Sequence, residues 1–245
     1  MKKLVLAVTI LAFAAGLAQA DIYIKQSTHT DEVTMMGQTT PAKDTVTEQW
    51  IGKNRFASHM ENQSVIMNLE ENMMYMINHQ NKSYIPMQLP VDMTDYMPPE
   101  VAGMMKSMMG SITVKVTPNN ETRTVAGLPC QGYDVTMDMM MMKMNMKVFA
   151  SEKVGFDWQK VSEQMTSEML KAQMRLSEEA VKEMQKVKGY WMAMETTVNV
   201  MGQDIRTTME VTEIAEKAPT ADAYAVPQGY TKKDKFTMGD LQQQG

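Results

Sequence analysis

From Asp21 onward apolar and polar residues alternate with a period of two. Ile22 and Ile24 fall on one face of an extended chain, with Tyr23, Lys25 and Ser27 on the other, the pattern of a half-buried antiparallel strand. Short runs of the same kind follow at 45–52, 53–60, 63–69, 73–78 and 82–87, parted by turn-prone pairs such as Gly52-Lys53, Glu61-Asn62, Glu71-Asn72 and Asn81-Lys82. They predict a meander. Pro90 ends it, and Pro98-Pro99 open a helix to about Met109, with Val101, Met104, Met105, Met108 and Met109 at helical spacing and Gly110 as its stop. Strands resume at 112–117, turn at Pro118-Asn119-Asn120, and continue through Val125 and Tyr133 to Phe149. Two helices interrupt them. Trp158, Val161, Met165 and Met169 form one apolar stripe, and Ser177 is the N-cap of a second helix that carries Val181, Met184 and Val187 and closes at Gly189. In the last hairpin Met192, Met194, Thr196, Val198 and Val200 alternate, Met201-Gly202-Gln203-Asp204 turns, and Ile205, Thr207, Met209 and Val211 alternate back. A similar Met36-Gly37-Gln38 turn stands in the first hairpin. Single-striped helices and alternating strands must bury against a common layer. The fold class is therefore mainly β (α+β): a strongly curved antiparallel sheet of about ten strands with amphipathic helices on its concave side.

The run from Met137 to Met146 changes face. Tyr133, Val135, Met137, Met139 and Met141 form an odd-numbered apolar set, and Met140, Met142, Met144, Met146 and Val148 an even-numbered one. A β-bulge or tight bend near Met140 to Met142 keeps both sets on one concave side, leaving Lys143, Asn145 and Lys147 to solvent. The rival reading is a strand buried on both faces.

The first twenty residues do not belong to this pattern. Lys2 and Lys3, an uncharged apolar run from Leu4 to Ala15, and small residues at Ala18-Gln19-Ala20 predict an exported preprotein cleaved before Asp21. The apolar stretch is shorter than the roughly 20 residues that a membrane span needs, and no transmembrane segment is expected in the mature chain. Removing 20 of the 245 residues leaves 225, one domain over 21–230 with a polar, flexible tail at 231–245. With Lys2 and Lys3 gone, 22 basic residues face 29 acidic ones, a net charge of −7 without a basic cluster, so nucleic acid is not an expected partner. Cys130, the one cysteine, excludes an internal disulfide and reads as a small buried hydrophobe. Methionine supplies 30 mature residues against six leucines, and its flexible, polarizable side chain favours an adaptable surface or cavity over a rigid core.

Four segments carry a resemblance: Tyr23-Ile24-Lys25-Gln26, Trp50-Ile51-Gly52-Lys53-Asn54-Arg55, Gly127-Leu128-Pro129-Cys130-Gln131-Gly132-Tyr133-Asp134-Val135 and Tyr224-Ala225-Val226-Pro227-Gln228-Gly229-Tyr230. In their order the chain resembles an exported bacterial family known as a domain of unknown function (the four-four-one-two family). More distantly it resembles the LolA/LolB lipoprotein-carrier superfamily. That likeness implies an open half-barrel whose mouth is covered by helices, with acyl chains held between; it is one of architecture and carries over no ligand-contacting residue.

No catalytic motif is legible. His29, His59 and His79 are scattered over predicted strands without a metal-ligand spacing, and Glu70-Glu71, Glu178-Glu179 and Asp134 with Asp138 read as solvated acids. The expectation is a non-catalytic protein without cofactor, periplasmic or secreted, that binds a lipid, acyl chain or other hydrophobic small molecule. Its apolar wall is assigned to Met140, Met142, Met144, Met146, Met192 and Met194, and its lid to Met104, Met105, Met108, Trp158, Met165 and Met169. Two alternatives stand beside it. Thioether sulfur selects Cu(I) or Ag(I), which makes a Met-rich soft-metal protein the first; a module that binds another envelope protein is the second.

Overall fold

In the computed structural model, which describes residues 20–35, 37–109, 112–139, 142–158, 178–200 and 203–242, the alternating runs assemble into one curved, unclosed sheet of twelve strands. In chain order the strands are β1 (Asp21–Thr30), β2 (Val33–Met35), β3 (Gln38–Thr40), β4 (Lys43–Ile51), β5 (Arg55–His59), β6 (Gln63–Asn68), β7 (Met73–Asn78), β8 (Ser83–Gln88), β9 (Ile112–Val125), β10 (Leu128–Met139), β11 (Met142–Ser151), β12 (Tyr190–Val200), β13 (Gln203–Lys217) and β14 (Thr231–Lys232). β2 and β3 form a separate ribbon, and the large sheet runs β14-β8-β7-β6-β5-β4-β1-β13-β12-β11-β10-β9. Its neighbours are antiparallel except for the two-residue β14, which lies parallel to β8. The pairing of β1 with β13 joins the early meander to the later hairpins.

The turn expected at Pro118-Asn119-Asn120 is not one. β9 runs through these residues, and the chain reverses at Ala126 and Gly127, whose φ values are +47° and +78°, because a two-residue hairpin turn needs positive φ twice. Pro118 to Glu121 instead bulge out of the ladder opposite Gln131 and Tyr133. A Cβ on Gly132 would run into Asn119 Oδ1 and lie 2.9 Å from the Glu121 carbonyl oxygen, which explains a glycine there. Register slips at Lys25/Gln26, Phe149/Ala150 and Gln131/Tyr133 follow one another across β1, β13, β12, β11, β10 and β9. Each adds local twist, and together they crease the sheet.

Residues paired across strands point to the same side. Ile22, Ile51, Phe56, Met67, Met74 and Met87 form one row, covered by Met97 and by Val101 and Ala102 in the first turn of the helix Pro99–Met109. The opposite row, Tyr23, Trp50, Ala57, Ile66 and Tyr75, is covered by a strap, 218–230, through Ala223, Tyr224, Val226 and Tyr230. Burial on both faces accounts for the nearly unbroken apolar run Met73-Met74-Tyr75-Met76-Ile77. The pairs Gln26–Val211, Thr28–Met209, Met209–Met194 and Met194–Val148 carry the first face across to β11. There the helix Glu178–Met184 packs, on the same side of the sheet as the helix Pro99–Met109.

The face switch lies where expected, in the form of a tight chain reversal. β10 ends at Met139, which pairs with Met142 of β11, while Met140 and Met141 lie outside the described residues. Val135 and Met137 are buried on one arm, Met146 and Val148 on the other, and Lys143 and Asn145 are exposed. The segment from Thr231, expected as a flexible tail, is packed on the sheet. The Thr231 and Lys233 N–H groups donate to Lys82 and Tyr84, the Phe236 N–H donates to Tyr96, and the Phe236 ring is buried. Among the described residues no helix is long and apolar enough to cross a membrane.

Candidate functional site

β10, β11, β12 and the helix Glu178–Met184 enclose a layer rich in methionine. Met137 faces Met144 across the β10–β11 ladder, Met146 lies next to Val135, and Met194 next to Val148. From above, the helix adds Ala180, Val181 and Met184, and Val187 follows it. Met137 and Met146 are buried, Met144 and Met194 half-buried. Thr196, paired with Met146 and Thr207 on the same face, is 7 % exposed, and its Oγ1 has no hydrogen-bond partner among the described residues. A buried hydroxyl left in that condition costs about 1–3 kcal/mol.

The assigned apolar wall is only partly assembled in this layer. Met144, Met146 and Met194 belong to it. Met192 is fully buried in the larger core, at the register slip that separates it from Met194. The Met142 side chain and all of Met140 lie outside the described residues. Of the assigned lid, Trp158 stands edge-on to Tyr190 at 4.8 Å and next to Phe156. Met104 is 60 % exposed, because the helix packs through Val101 and Ala102 instead. The side chains of Met105 and Met108, and all of Met165 and Met169, lie outside the described residues. By contrast, the cleft between β6, β7, β8 and Phe236 encloses about 10 Å³, the room of about one water.

A second constellation was not legible as a site. His59 Nδ1 is 2.9 Å from Ser64 Oγ, Ser64 Oγ 2.7 Å from His79 Nε2, His79 Nδ1 2.9 Å from the Tyr230 hydroxyl, and His59 Nε2 2.9 Å from the Ala223 carbonyl oxygen. The β5–β6 register, which sets His59 opposite Ser64, was the available signal. Ser64 is buried, and the chain ends on a backbone carbonyl instead of a carboxylate. A nucleophile–base pair needs an accessible hydroxyl and an orienting acid, whereas this arrangement ties the strap to the sheet. One residue along the strap from Ala223, the Tyr224 hydroxyl and Arg55 Nη2 both donate to Asp21 Oδ2, at 2.7 and 3.0 Å, with the guanidinium over the Tyr224 ring. Burial, then the Asp21 carboxylate, push the Tyr224 hydroxyl up. His29, at a hairpin tip, is exposed and pairs with Asp44 and Asp31.

The fold and this layer define an open β half-barrel with helices on one face. No protein-family model and no curated protein matches the chain.

Proposed function

We propose that the chain is an exported, non-catalytic binding module that takes an amphiphile, a lipid or acyl chain with one polar group, into the methionine layer of its concave face. The observation that carries this reading is the meeting, in one layer, of Met137, Met144, Met146, Met184 and Met194 with the buried hydroxyl of Thr196, which has no partner among the described residues. Thioethers re-pack around varied apolar shapes, and a ligand oxygen beside Thr196 would remove the cost of the orphan hydroxyl. Micromolar affinity corresponds to about 8 kcal/mol, which about ten methylenes at about 0.8 kcal/mol each supply before the costs of association are counted. The leader at 1–20 supports a periplasmic or secreted location, and the resemblance to the exported family of unknown function and to lipoprotein carriers supports the ligand class. Soft-metal binding is the second reading, because the same five thioethers would serve it.

The test is to express the full preprotein with its own leader, purify the mature form from the envelope, and identify bound organic molecules by mass spectrometry. One amphiphile at near-stoichiometric amount is expected. Nothing above the level carried by an unrelated envelope protein would contradict the reading.

A further inference from the structure

Beneath the strap 218–230, the protons of the histidine chain can be assigned from its ends. The Ala223 carbonyl only accepts, so His59 carries its proton on Nε2 and accepts at Nδ1 from the Ser64 hydroxyl. Ser64 Oγ, its single proton spent, accepts from His79 Nε2–H, and His79 Nδ1 accepts from the Tyr230 hydroxyl. Every donor is matched, with both imidazoles neutral.

One added proton is tolerated. On His79 it turns Tyr230 from donor to acceptor; on His59 it reverses Ser64 and moves the His79 proton to Nδ1. Two added protons are not, because Ser64 Oγ would then face two N–H donors with no acceptor left for its own hydrogen, between two imidazolium rings. We propose that the strap is an acid-released latch: it stays docked with one proton on the His59–Ser64–His79 chain, is shed with two, and thereby uncovers the aromatic face of β1 and β4 to β7.

Of the ionisable groups on the surrounding elements, Glu48 of β4 stands opposite His59 in the ladder and is engaged by Lys25 at 3.5 Å. Tyr75, Tyr84 and Tyr230 share the apolar cluster. Asp222 on the strap, Glu61 between β5 and β6, and Lys82 between β7 and β8 are exposed. Asp21 and Arg55, held by Tyr224, pair with each other at 3.0 Å. Beyond the strap, Asp240 pairs with Lys233: burial raises this carboxyl, but Lys233 and the Thr237 N–H and hydroxyl outweigh burial and hold it at about 2, outside the relevant range. Burial first, and His59 second, lower the pKa of His79 from 6.5. A depressed histidine pKa means that docking is at full strength above the ordinary value and weakens as pH falls below it.

The experiment is hydrogen–deuterium exchange on the mature wild-type chain and on His59→Gln and His79→Gln, between about pH 7.5 and about pH 5, following peptides over 218–230 corrected for intrinsic exchange. Glutamine supplies one donor and one acceptor and does not titrate. Strap opening in wild type should steepen toward about tenfold per pH unit, because the open strap holds one proton more than the docked one, and should change by clearly less than that in either variant, whose single remaining histidine can be protonated in both states. A wild-type strap that remains protected at about pH 5, or a wild-type slope no steeper than the variants', would overturn the proposal. The wild-type curve needs no variant, and either variant alone supplies the comparison if the other fails to fold.

Discussion

Thr196 occupies a position on β12 where the alternating pattern calls for an apolar side chain, between Met194 and Val198. Its hydroxyl is buried without a partner among the described residues, and valine has the same shape without the oxygen. Thr196→Val should therefore stabilise the unliganded protein by about 1 kcal/mol, read as a higher urea midpoint at unchanged slope, and weaken binding of an amphiphile with a polar headgroup. Destabilisation would mean that the hydroxyl is satisfied. Cys130 is the opposite case. It is 3 % exposed, its Sγ lies 3.4 Å from the Leu128 carbonyl oxygen, and burial pushes the thiol up. In native buffer it should react with a thiol reagent at least ~100-fold more slowly than in denaturant, and equal rates would contradict its placement. Residue identity alone made Cys130 readable as a small hydrophobe. It left His59, Ser64, His79 and Tyr230 as isolated polar residues, because their convergence depends on the β5–β6 register and on where the chain after β13 returns.

The elements with period-two alternation, β1, the β4–β8 meander and the β12–β13 hairpin, were legible because each run is bounded by turn-forming residues. The reversal at Ala126 and Gly127 was not. Pro118-Asn119-Asn120 is the stronger turn signal in composition, yet the ladder absorbs it as a bulge against Gly132. β9 is also an edge of the sheet, and an open edge invites pairing with another chain. The helix Glu178–Met184 guards it: the Val116 N–H donates to Glu183 Oε2 at 3.0 Å, while Glu183 also pairs with Lys186. Lys186, then the Val116 N–H, hold the Glu183 carboxyl below its ordinary range, so the guard persists in mildly acid medium. Glu183→Ala should increase concentration-dependent self-association in sedimentation velocity without loss of fold. An unchanged monomer at all concentrations would assign Glu183 no guarding role. At the other edge β14 covers part of β8, a role hidden in the polar composition of the chain after Tyr230.

For the whole molecule, three of the four segments on which the family resemblance rests meet at the strap, while the fourth, Gly127 to Val135, lies on β10 and places Tyr133 and Val135 in the methionine layer. Tyr23, Trp50, Arg55, Tyr224 and Tyr230 lock the strap to the sheet, so these three motifs account for architecture more than for ligand choice. The central claim, that the methionine layer serves an apolar ligand through its shape and not through its sulfur, is tested most directly by titrating an environment-sensitive apolar dye into the delipidated mature protein and into Met144→Leu/Met146→Leu/Met194→Leu, with a parallel Cu(I) titration. Leucine keeps the apolar volume and removes the thioether. The dye should bind both forms with micromolar affinity, within about threefold of each other, and extracted envelope lipid should displace it. Dye binding by neither form, together with tight Cu(I) binding by the wild type that the leucine variant loses, would contradict the account.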